Sequence, residues 1–148
     1  MAKIEKVLTA GNSHVTVNRD PNAQRGEFGV YDLKLTAPGV ESLDYIGTEP
    51  HPRAEQLFAG AWSACYTTVF GMAAQLENVT LPPDYSVDIQ VNIGQTGAAW
   101  FLGAQFDIRV PGVEKEVVEK IAHLAHQICP YSKSVRGNIE IGTNIVTA

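Results

Sequence analysis

A long segment near the middle of the chain is apolar on almost every side. It covers residues 54 to 77, and its apolar side chains are not confined to one stripe. A helix that is apolar all round is buried by other elements of the fold. Small residues would let another backbone approach this helix closely: Gly60, Ala61, Ala64 and Gly71. The segment therefore predicts a buried central helix around which the rest of the chain packs.

Strand patterns lie on both sides of this segment. Short apolar stretches, most of them alternating with polar residues, predict strands at residues 15–17, 30–35, 87–93, 106–110 and 139–146. Residues 39 to 52 contain turn formers and little periodicity, which predicts a loop, and residues 78 to 84 break the central helix. Residues 94 to 97 predict the turn between the two strands around them.

A second helix is predicted over residues 114 to 128. Its apolar residues recur at helical spacing and form one stripe: Val117, Ile121, Leu124 and Ile128. Pro130 ends this helix. The order strands, helix, strands, helix, strand predicts an α+β domain in which helices pack on antiparallel sheets. The 148 residues fit a single domain over residues 1–148.

The charge balance argues against two classes of partner. The chain has 16 acidic and 11 basic side chains and a net charge of -5, so it lacks a broad positive field for nucleic acid or anionic lipid. Charges in the first seven residues interrupt the apolar stretch that a signal peptide needs. Ser63, Thr67 and Thr68 interrupt the longest apolar run, which argues against a membrane span. We therefore expect a cytoplasmic protein with neither nucleic acid nor membrane as a partner.

The chain has two cysteines, Cys65 in the central helix and Cys129 at the end of the second helix. In a reducing compartment, a cysteine pair is more typical of a catalytic or sensing role than of a permanent disulfide. From the cysteine count alone, two inert buried thiols remain the simpler interpretation.

Cys65 is expected to lie in apolar surroundings. On a helical wheel it shares a face with four apolar residues: Phe58, Trp62, Val69 and Met72. Such surroundings raise the pKa of a thiol above its ordinary value of about 8.5 and leave the thiol inert. A nucleophilic Cys65 therefore needs a cation nearby. The N-terminal strand region offers two candidates, Arg19 and Arg25.

The segments that contain the two cysteines are more distinctive than the rest of the chain. Residues 55 to 65 read Glu-Gln-Leu-Phe-Ala-Gly-Ala-Trp-Ser-Ala-Cys, and residues 129 to 139 read Cys-Pro-Tyr-Ser-Lys-Ser-Val-Arg-Gly-Asn-Ile. Both segments resemble the signature segments of the organic hydroperoxide resistance proteins (Ohr) of the OsmC/Ohr family. With Arg19 and Asp20 upstream, the resemblance extends over most of the chain.

The resemblance implies a fold and an activity. The fold is the OsmC/Ohr-like α+β domain, with antiparallel sheets packed on a buried central helix and a second helix, in an interlocked homodimer whose active sites lie at the subunit interface. The activity is a thiol-dependent peroxidase that reduces organic hydroperoxides to alcohols. The family uses no haem, metal or flavin, and its reductant is a dihydrolipoyl group of a lipoylated protein.

The resemblance also assigns roles to residues. Cys65 matches the peroxidatic cysteine, which becomes a sulfenic acid, and Cys129 matches the resolving cysteine, which forms a disulfide with it. Arg19 matches the arginine that activates the thiol, and Glu55 matches the glutamate that orients this arginine. A substrate pocket is expected to be lined by Phe58, Trp62, Met72 and Tyr131.

The chain departs from the family pattern in two places. The family usually has Asn-Pro directly before its glutamate, whereas Glu55 follows Thr-Glu-Pro-His-Pro-Arg-Ala at residues 48 to 54. Arg53 is therefore an additional candidate partner for the substrate or for Glu55. Thr-Val-Asn at residues 16 to 18 replaces the glycine-rich turn before the family's arginine, which leaves Arg25 as an alternative to Arg19.

A zinc site is an alternative for part of this region. His123, His126 and Cys129 are residue types that bind zinc. At 100° per residue, however, the two histidines fall opposite the apolar stripe of their helix, and Cys129 lies near its edge. The three residues do not converge, and solvated histidines are the preferred interpretation. For Arg136, helix capping or a salt bridge is expected.

Two other functions remain open. One is an OsmC-type peroxidase with a broader substrate range than Ohr. The other is a non-enzymatic thiol redox sensor, in which disulfide formation changes a surface that a partner recognises.

Overall fold

The structure is a computed structural model that describes residues 5–16, 33–37, 40–45 and 53–148, with side chains described in 5–7 and 53–148. Its strands are β1 (Lys6–Thr16), β2 (Leu33–Ala37), β3 (Val40–Tyr45), β4 (Ser86–Thr96), β5 (Ala99–Arg109) and β6 (Glu140–Val146). Its helices are α1 (Ala54–Leu76), α2 (Lys115–Ile128) and α3 (Pro130–Val135).

Four of these strands form one mixed sheet in the order β1-β4-β5-β6, and β2 and β3 form a separate antiparallel pair. β1 and β5 both run antiparallel to β4, whereas β6 runs parallel to β5. The prediction of purely antiparallel sheets is therefore wrong at β6. The physical reason is the connection: α2 and α3 lie between β5 and β6, and such a helical crossover returns the chain to the same end of the sheet.

The hairpin between β4 and β5 turns later than the sequence predicted. Pairing continues through Gly94 and Gln95 to the last pair, Thr96 with Ala99. The turn therefore consists of Gly97 and Ala98, and Gly97 has a φ of 59°. A positive φ at this position of a tight hairpin turn favours glycine.

The prediction of a loop over residues 39 to 52 is wrong at β3. Val40–Tyr45 pairs with Leu33–Ala37, for example through Leu43 opposite Leu35. Hydrogen bonding to a neighbouring strand stabilises β3, and a search for periodicity within one segment does not detect such pairing.

The predicted central helix is confirmed as α1. Its largest buried side chains are Trp62, Tyr66 and Phe70, which join the hydrophobic core with residues of β4 and β5. One side of α1 is uncovered in the single chain, where Leu57, Met72 and Leu76 are 49%, 52% and 67% exposed. Burial on all sides, which the sequence predicted, is thus only partly reached within one chain.

By length and composition, α1 would also suffice to cross a membrane. The expectation that Ser63, Thr67 and Thr68 exclude such a helix is therefore wrong. In this structure 56% of its most apolar window is buried inside the domain, which is what a core helix requires.

α2 packs with a face that only partly matches the predicted one: Ile121 is buried, and Val117 and Leu124 are partly buried against the core. Its buried residues are Val118, Ile121, Ala122 and Ala125, while Ile128 is exposed. The alanines allow α2 to approach α1 so closely that the Tyr66 hydroxyl donates a hydrogen bond to the Ala122 carbonyl, at 3.1 Å. The prediction considered only large apolar residues, so it did not include the buried alanines Ala122 and Ala125.

Candidate active site

The two cysteines, 64 positions apart in the sequence, meet in the fold. Cys65 lies on α1 and Cys129 lies between α2 and α3, and their Sγ atoms are 3.6 Å apart. Both are free thiols. Because a disulfide bond is about 2.05 Å long, the two sulfur atoms are in contact without being bonded. The structure thus brings together the two residues that the sequence singled out for redox chemistry.

The backbone holds Cys129 from both sides. Its N–H donates to the carbonyl of Ala125 at 2.8 Å, at the end of α2, and its own carbonyl accepts from the N–H of Lys133 at 2.9 Å, in α3. Pro130 occupies the first position of α3, where the missing N–H costs no helical hydrogen bond. The prediction that α2 ends before Pro130 is confirmed, and the short helix α3 directly after it was not predicted.

The two thiols differ in accessibility. Cys129 is fully buried, whereas Cys65 is partly exposed. A molecule arriving from solvent therefore reaches Cys65 first.

Burial raises the pKa of the Cys65 thiol to about 11, and the charge and hydrogen bond of Cys129 act in the same direction. The backbone N–H of Tyr131 opposes this by hydrogen bonding to Cys65. The predicted direction of the pKa shift is confirmed. The described residues that set this pKa include no cation, and Arg19 and Arg25 lie outside the described residues.

Glu55 does not reach Cys65 within one chain. It lies in the first turn of α1, which runs without a break from Ala54 to Leu76. Ten residues at 1.5 Å each separate the two positions by about 15 Å along the helix axis. Arg53 directly precedes α1, and its backbone N–H donates to the side-chain Oε1 of Gln56 at 3.2 Å.

The four residues expected to line a pocket lie in different environments. Trp62 is fully buried, with its ring packed edge-on against Phe58 and Phe106 at centroid distances of 5.7 and 5.1 Å. Phe58 is partly buried, and Tyr131 is exposed beside Cys129. Met72 is exposed two helical turns beyond Cys65, about 10 Å along the axis. Their role as a substrate pocket stays a prediction.

Two residues near the thiols have contacts that the sequence did not reveal. Ser132 is buried, and its Oγ accepts a hydrogen bond from Trp62 Nε1 at 3.0 Å and lies 3.1 Å from His126 Nδ1. The His126 ring packs against the rings of Tyr66 and Phe106, with centroids 4.6 and 4.9 Å away. Burial, followed by the charges of His123 and Arg136, lowers the pKa of His126 to about 4.

The prediction of a solvated histidine is therefore wrong for His126. The His126 ring packs against Phe106 of β5, whereas His123 is exposed. Arg136 donates to the His126 carbonyl at 3.4 Å, which confirms its expected role as a helix cap. Among the described residues, no three histidine, cysteine, aspartate or glutamate side chains are grouped so that they would hold a metal ion.

A cleft of about 360 Å³ lies between α2 and β6. Its lining includes Lys115, His123, His126 and Asn144 but neither cysteine. The cleft contains no thiol, and the cysteine pair is therefore the stronger candidate for a redox active site.

Residues 47–144 match the family described as OsmC-like protein. The chain belongs to this family. Among curated OsmC-like relatives, the organic hydroperoxide resistance protein of Xanthomonas axonopodis pv. citri (strain 306) is 35% identical over 142 residues, which are 95% of this chain and 96% of the relative. The organic hydroperoxide resistance protein OhrB of Bacillus subtilis (strain 168) is 25% identical, over 76% of this chain and 80% of the relative.

Solved structures share the fold of this OsmC-like chain. An organic hydroperoxide resistance protein from Elizabethkingia anophelis, with thiocyanate bound, has a TM-score of 0.61 and 26% identity and covers 76% of this chain and 78% of its own. A putative one from Vibrio cholerae O1 biovar eltor str. N16961 has a TM-score of 0.56 and 26% identity over 95% and 92% of the two chains. That structure holds captopril in one of its active sites. The resemblance to the OsmC/Ohr family and the α+β fold class are thus confirmed.

Proposed function

We propose that this OsmC-like protein is a thiol-dependent peroxidase that reduces organic hydroperoxides to alcohols. The observation that carries the proposal is the 3.6 Å contact between the Cys65 and Cys129 sulfur atoms, in a chain whose curated relatives are named organic hydroperoxide resistance proteins. A dithiol at contact distance is suited to cycling between two thiols and a disulfide.

The reaction has two steps. The Cys65 thiolate attacks the terminal oxygen of the hydroperoxide, the O–O bond breaks, and the alkoxide takes up a proton and leaves as the alcohol. Cys65 is now a sulfenic acid. The sulfur of Cys129 attacks the sulfur of this sulfenic acid, water leaves, and a Cys65–Cys129 disulfide forms. The partial exposure of Cys65 and the complete burial of Cys129 support this division of roles.

A second dithiol must restore the enzyme. We assign this role to a dihydrolipoyl group on a lipoylated protein, which transfers two electrons and two protons and becomes a cyclic disulfide. The scheme uses no metal or flavin, and it places the enzyme in the reducing cytoplasm, where structural disulfides are rare.

The first step requires a cation, because burial holds the pKa of the Cys65 thiol at about 11 and only the thiolate is nucleophilic. We assign this cation to Arg19, with Glu55 as the group that orients it. An arginine in contact with Cys65 cannot also reach Glu55 of the same unbroken helix, about 15 Å away. The glutamate of each site therefore comes from a partner subunit in a homodimer.

The uncovered side of α1 supports a homodimer. Leu57, Met72 and Leu76 are exposed there, and exposed apolar side chains that lie along one helix are typical of a surface that a partner covers. A second copy of the chain on this side would bury the apolar side chains of α1 that the single chain leaves exposed.

A mixed dimer tests whether Glu55 acts across the subunit interface. One chain carries Cys65→Ser and the other carries Glu55→Ala, and each homodimer is expected to be nearly inactive. In the mixed dimer, Cys65 of the second chain meets the intact Glu55 of the first, so one of two sites works. We expect about half of the wild-type turnover in a tag-purified heterodimer.

The control is a mixed dimer in which one chain carries both substitutions and the other carries none. With Glu55 acting in trans, the wild-type cysteine of this control lacks its glutamate, and activity is lost. With Glu55 acting in cis, this control keeps half of the activity and the first mixed dimer has none. That reversed pattern would contradict the cross-subunit arrangement.

Steady-state turnover tests the proposed function itself. With dihydrolipoamide as reductant, we expect cumene hydroperoxide to be consumed over many equivalents, and thioredoxin to support much slower turnover. We expect cumene hydroperoxide to react about one to two orders of magnitude faster than hydrogen peroxide. Burying two or three more methylene-sized groups against apolar residues near Cys65 accounts for this factor at about 0.8 kcal/mol each.

Two results would count against this function. Consumption of a single equivalent of peroxide, followed by arrest in the presence of dihydrolipoamide, is the behaviour of a redox sensor. Equal second-order rate constants for hydrogen peroxide and cumene hydroperoxide would contradict an apolar site for the organic group and would favour a peroxidase of broader range.

A further inference from the structure

Three side chains on the helices around the two thiols are linked by hydrogen bonds. The indole N–H of Trp62 donates to Ser132 Oγ at 3.0 Å, and Ser132 Oγ lies 3.1 Å from His126 Nδ1. These residues belong to α1, α3 and α2, respectively. Trp62 and Ser132 are buried. The Trp62–Ser132–His126 chain therefore joins the three helices that surround Cys65 and Cys129.

The chemistry of the groups fixes the direction of one of its two hydrogen bonds. An indole N–H can only donate, so Ser132 Oγ is the acceptor for Trp62. Ser132 and His126 form the second hydrogen bond: Ser132 donates when the neutral ring carries its proton on Nε2, and His126 donates when the proton is on Nδ1. A pKa lowered to about 4 keeps this imidazole neutral at pH 7. In either tautomer the 3.1 Å hydrogen bond joins Ser132 to His126, whose Nε2 is buried without a hydrogen-bond partner among the described residues.

The first turn of α3 depends on contacts outside itself. α3 has six residues, and no side chain caps its N-terminus. A helix of this length is not stable alone, because nucleation costs more than its few hydrogen bonds return. Yet this turn supplies two groups to Cys65, the thiol of Cys129 and the backbone N–H of Tyr131. Ser132 is the residue of this turn that bonds to both α1 and α2.

We propose that Ser132 and His126 are positioning residues, which hold the first turn of α3 so that Cys129 stays against Cys65. The sulfur atoms must close from 3.6 Å to a bond of about 2.05 Å when the disulfide forms. Holding the two reacting groups near this geometry raises their effective concentration toward each other. The inference deepens the proposed function, since it names the residues that prepare the resolving step.

Two pairs of variants separate hydrogen bonding from packing. Ser132→Ala removes the buried hydroxyl. Its control is Ser134→Ala in the same helix. The Ser134 hydroxyl is exposed and donates a hydrogen bond to the Tyr131 carbonyl at 2.8 Å. His126→Phe keeps a ring against Tyr66 and Phe106 but has no acceptor. His126→Asn loses the ring but places an acceptor, Oδ1, near the former position of Nδ1.

The measurement is the equilibrium between the full-length protein and a glutathione redox buffer. The two thiols plus oxidised glutathione give the Cys65–Cys129 disulfide plus two reduced glutathione molecules, so no peroxide is needed. We expect Ser132→Ala and His126→Phe to lower the equilibrium constant for this disulfide about tenfold. We expect Ser134→Ala to leave it within about twofold and His126→Asn to restore it relative to His126→Phe. A tenfold change corresponds to about 1.4 kcal/mol.

Thermal unfolding of the same proteins is expected to rank the two His126 variants in the opposite order from the disulfide equilibrium. His126→Asn loses ring packing and is expected to melt lower than His126→Phe, so stability and the disulfide equilibrium change in opposite directions. If His126→Asn lowers the disulfide constant as far as His126→Phe does, the histidine only packs and the inference is wrong. If His126→Phe does not fold, the Ser132→Ala and Ser134→Ala pair decides alone, and equal constants for these two overturn the inference.

This test stands apart from the test of the proposed function. A wild-type protein that forms the disulfide with glutathione but does not turn over hydroperoxide would refute the peroxidase and leave the positioning role intact. A peroxidase whose disulfide constant does not change in Ser132→Ala would keep its function and lose the positioning role.

Discussion

Cys65→Ser is expected to reduce hydroperoxide turnover to the uncatalysed background, because a serine hydroxyl is not ionised at neutral pH and does not attack a peroxide. Cys129→Ser is expected to consume about one equivalent of peroxide rapidly and then to stop turning over, with further peroxide consumed only by slower overoxidation. In this variant Cys65 has no neighbouring thiol at 3.6 Å, so its sulfenic acid persists and is oxidised further to sulfinic acid by excess peroxide. Intact-mass measurement after one and after ten equivalents distinguishes these states.

The wild-type protein treated with one equivalent is the control, and its mass should fall by two hydrogen atoms as the disulfide forms. A Cys129→Ser protein that turns over many equivalents with dihydrolipoamide, at the normal rate and without added oxygen atoms, would show that the donor reduces the sulfenic acid directly. Cys129 would then have no resolving role.

Arg19→Ala is expected to slow the reaction of Cys65 with cumene hydroperoxide about a hundredfold at pH 7. Without an activating cation, the pKa of the thiol is about 11, and about one molecule in ten thousand is a thiolate at pH 7. The nucleophilicity of a thiolate rises with its pKa, with a Brønsted slope of about 0.4 to 0.5. On a logarithmic scale, this gain in nucleophilicity offsets roughly half of the loss in thiolate fraction.

The pH dependence of this variant has a definite sign. A thiol reacts as its thiolate, so the variant's rate constant should rise about tenfold per pH unit until the pH approaches about 11. The wild-type rate should be level above its own, lower pKa. Stopped-flow measurement of the second-order rate constant from about pH 6 to about pH 10 shows both profiles.

Arg25→Ala is the matched control, because it removes the other candidate cation of the N-terminal region. If Arg25→Ala shows the loss and the alkaline slope while Arg19→Ala does not, Arg25 is the activating residue. If neither variant changes the profile, another cation activates the thiol. Arg53 is the next residue to replace, and it would act from a partner subunit, because it precedes Glu55 at the start of the same unbroken helix.

Several elements of the fold could be predicted from local sequence patterns. The apolar segment around Cys65 became α1. The alternating segment at residues 87–93 lies within β4, and the one at residues 106–110 forms the end of β5 except for Val110. The second helix and the last strand lie within one residue of their predicted starts. In each case the signal is a periodicity carried by neighbouring residues, and periodicity depends on the geometry of one element alone.

The sequence by itself also determined the chemical identity of the candidate site. Cys65 and Cys129 stand in the two most distinctive segments of the chain, and the resemblance carried by those segments identified the family. A nucleophile must be one of a few residue types. The sequence therefore shows which residues can react before their places in the fold are known.

Only the tertiary structure decided where these groups meet and what surrounds them. Three features depend on contacts between separate segments of the chain. They are the parallel pairing of β6, the pairing of β3 with β2 and the burial of His126. The Trp62–Ser132 hydrogen bond spans 70 positions and the thiol contact spans 64. No local pattern encodes such contacts, because they depend on how the helices and strands pack against one another.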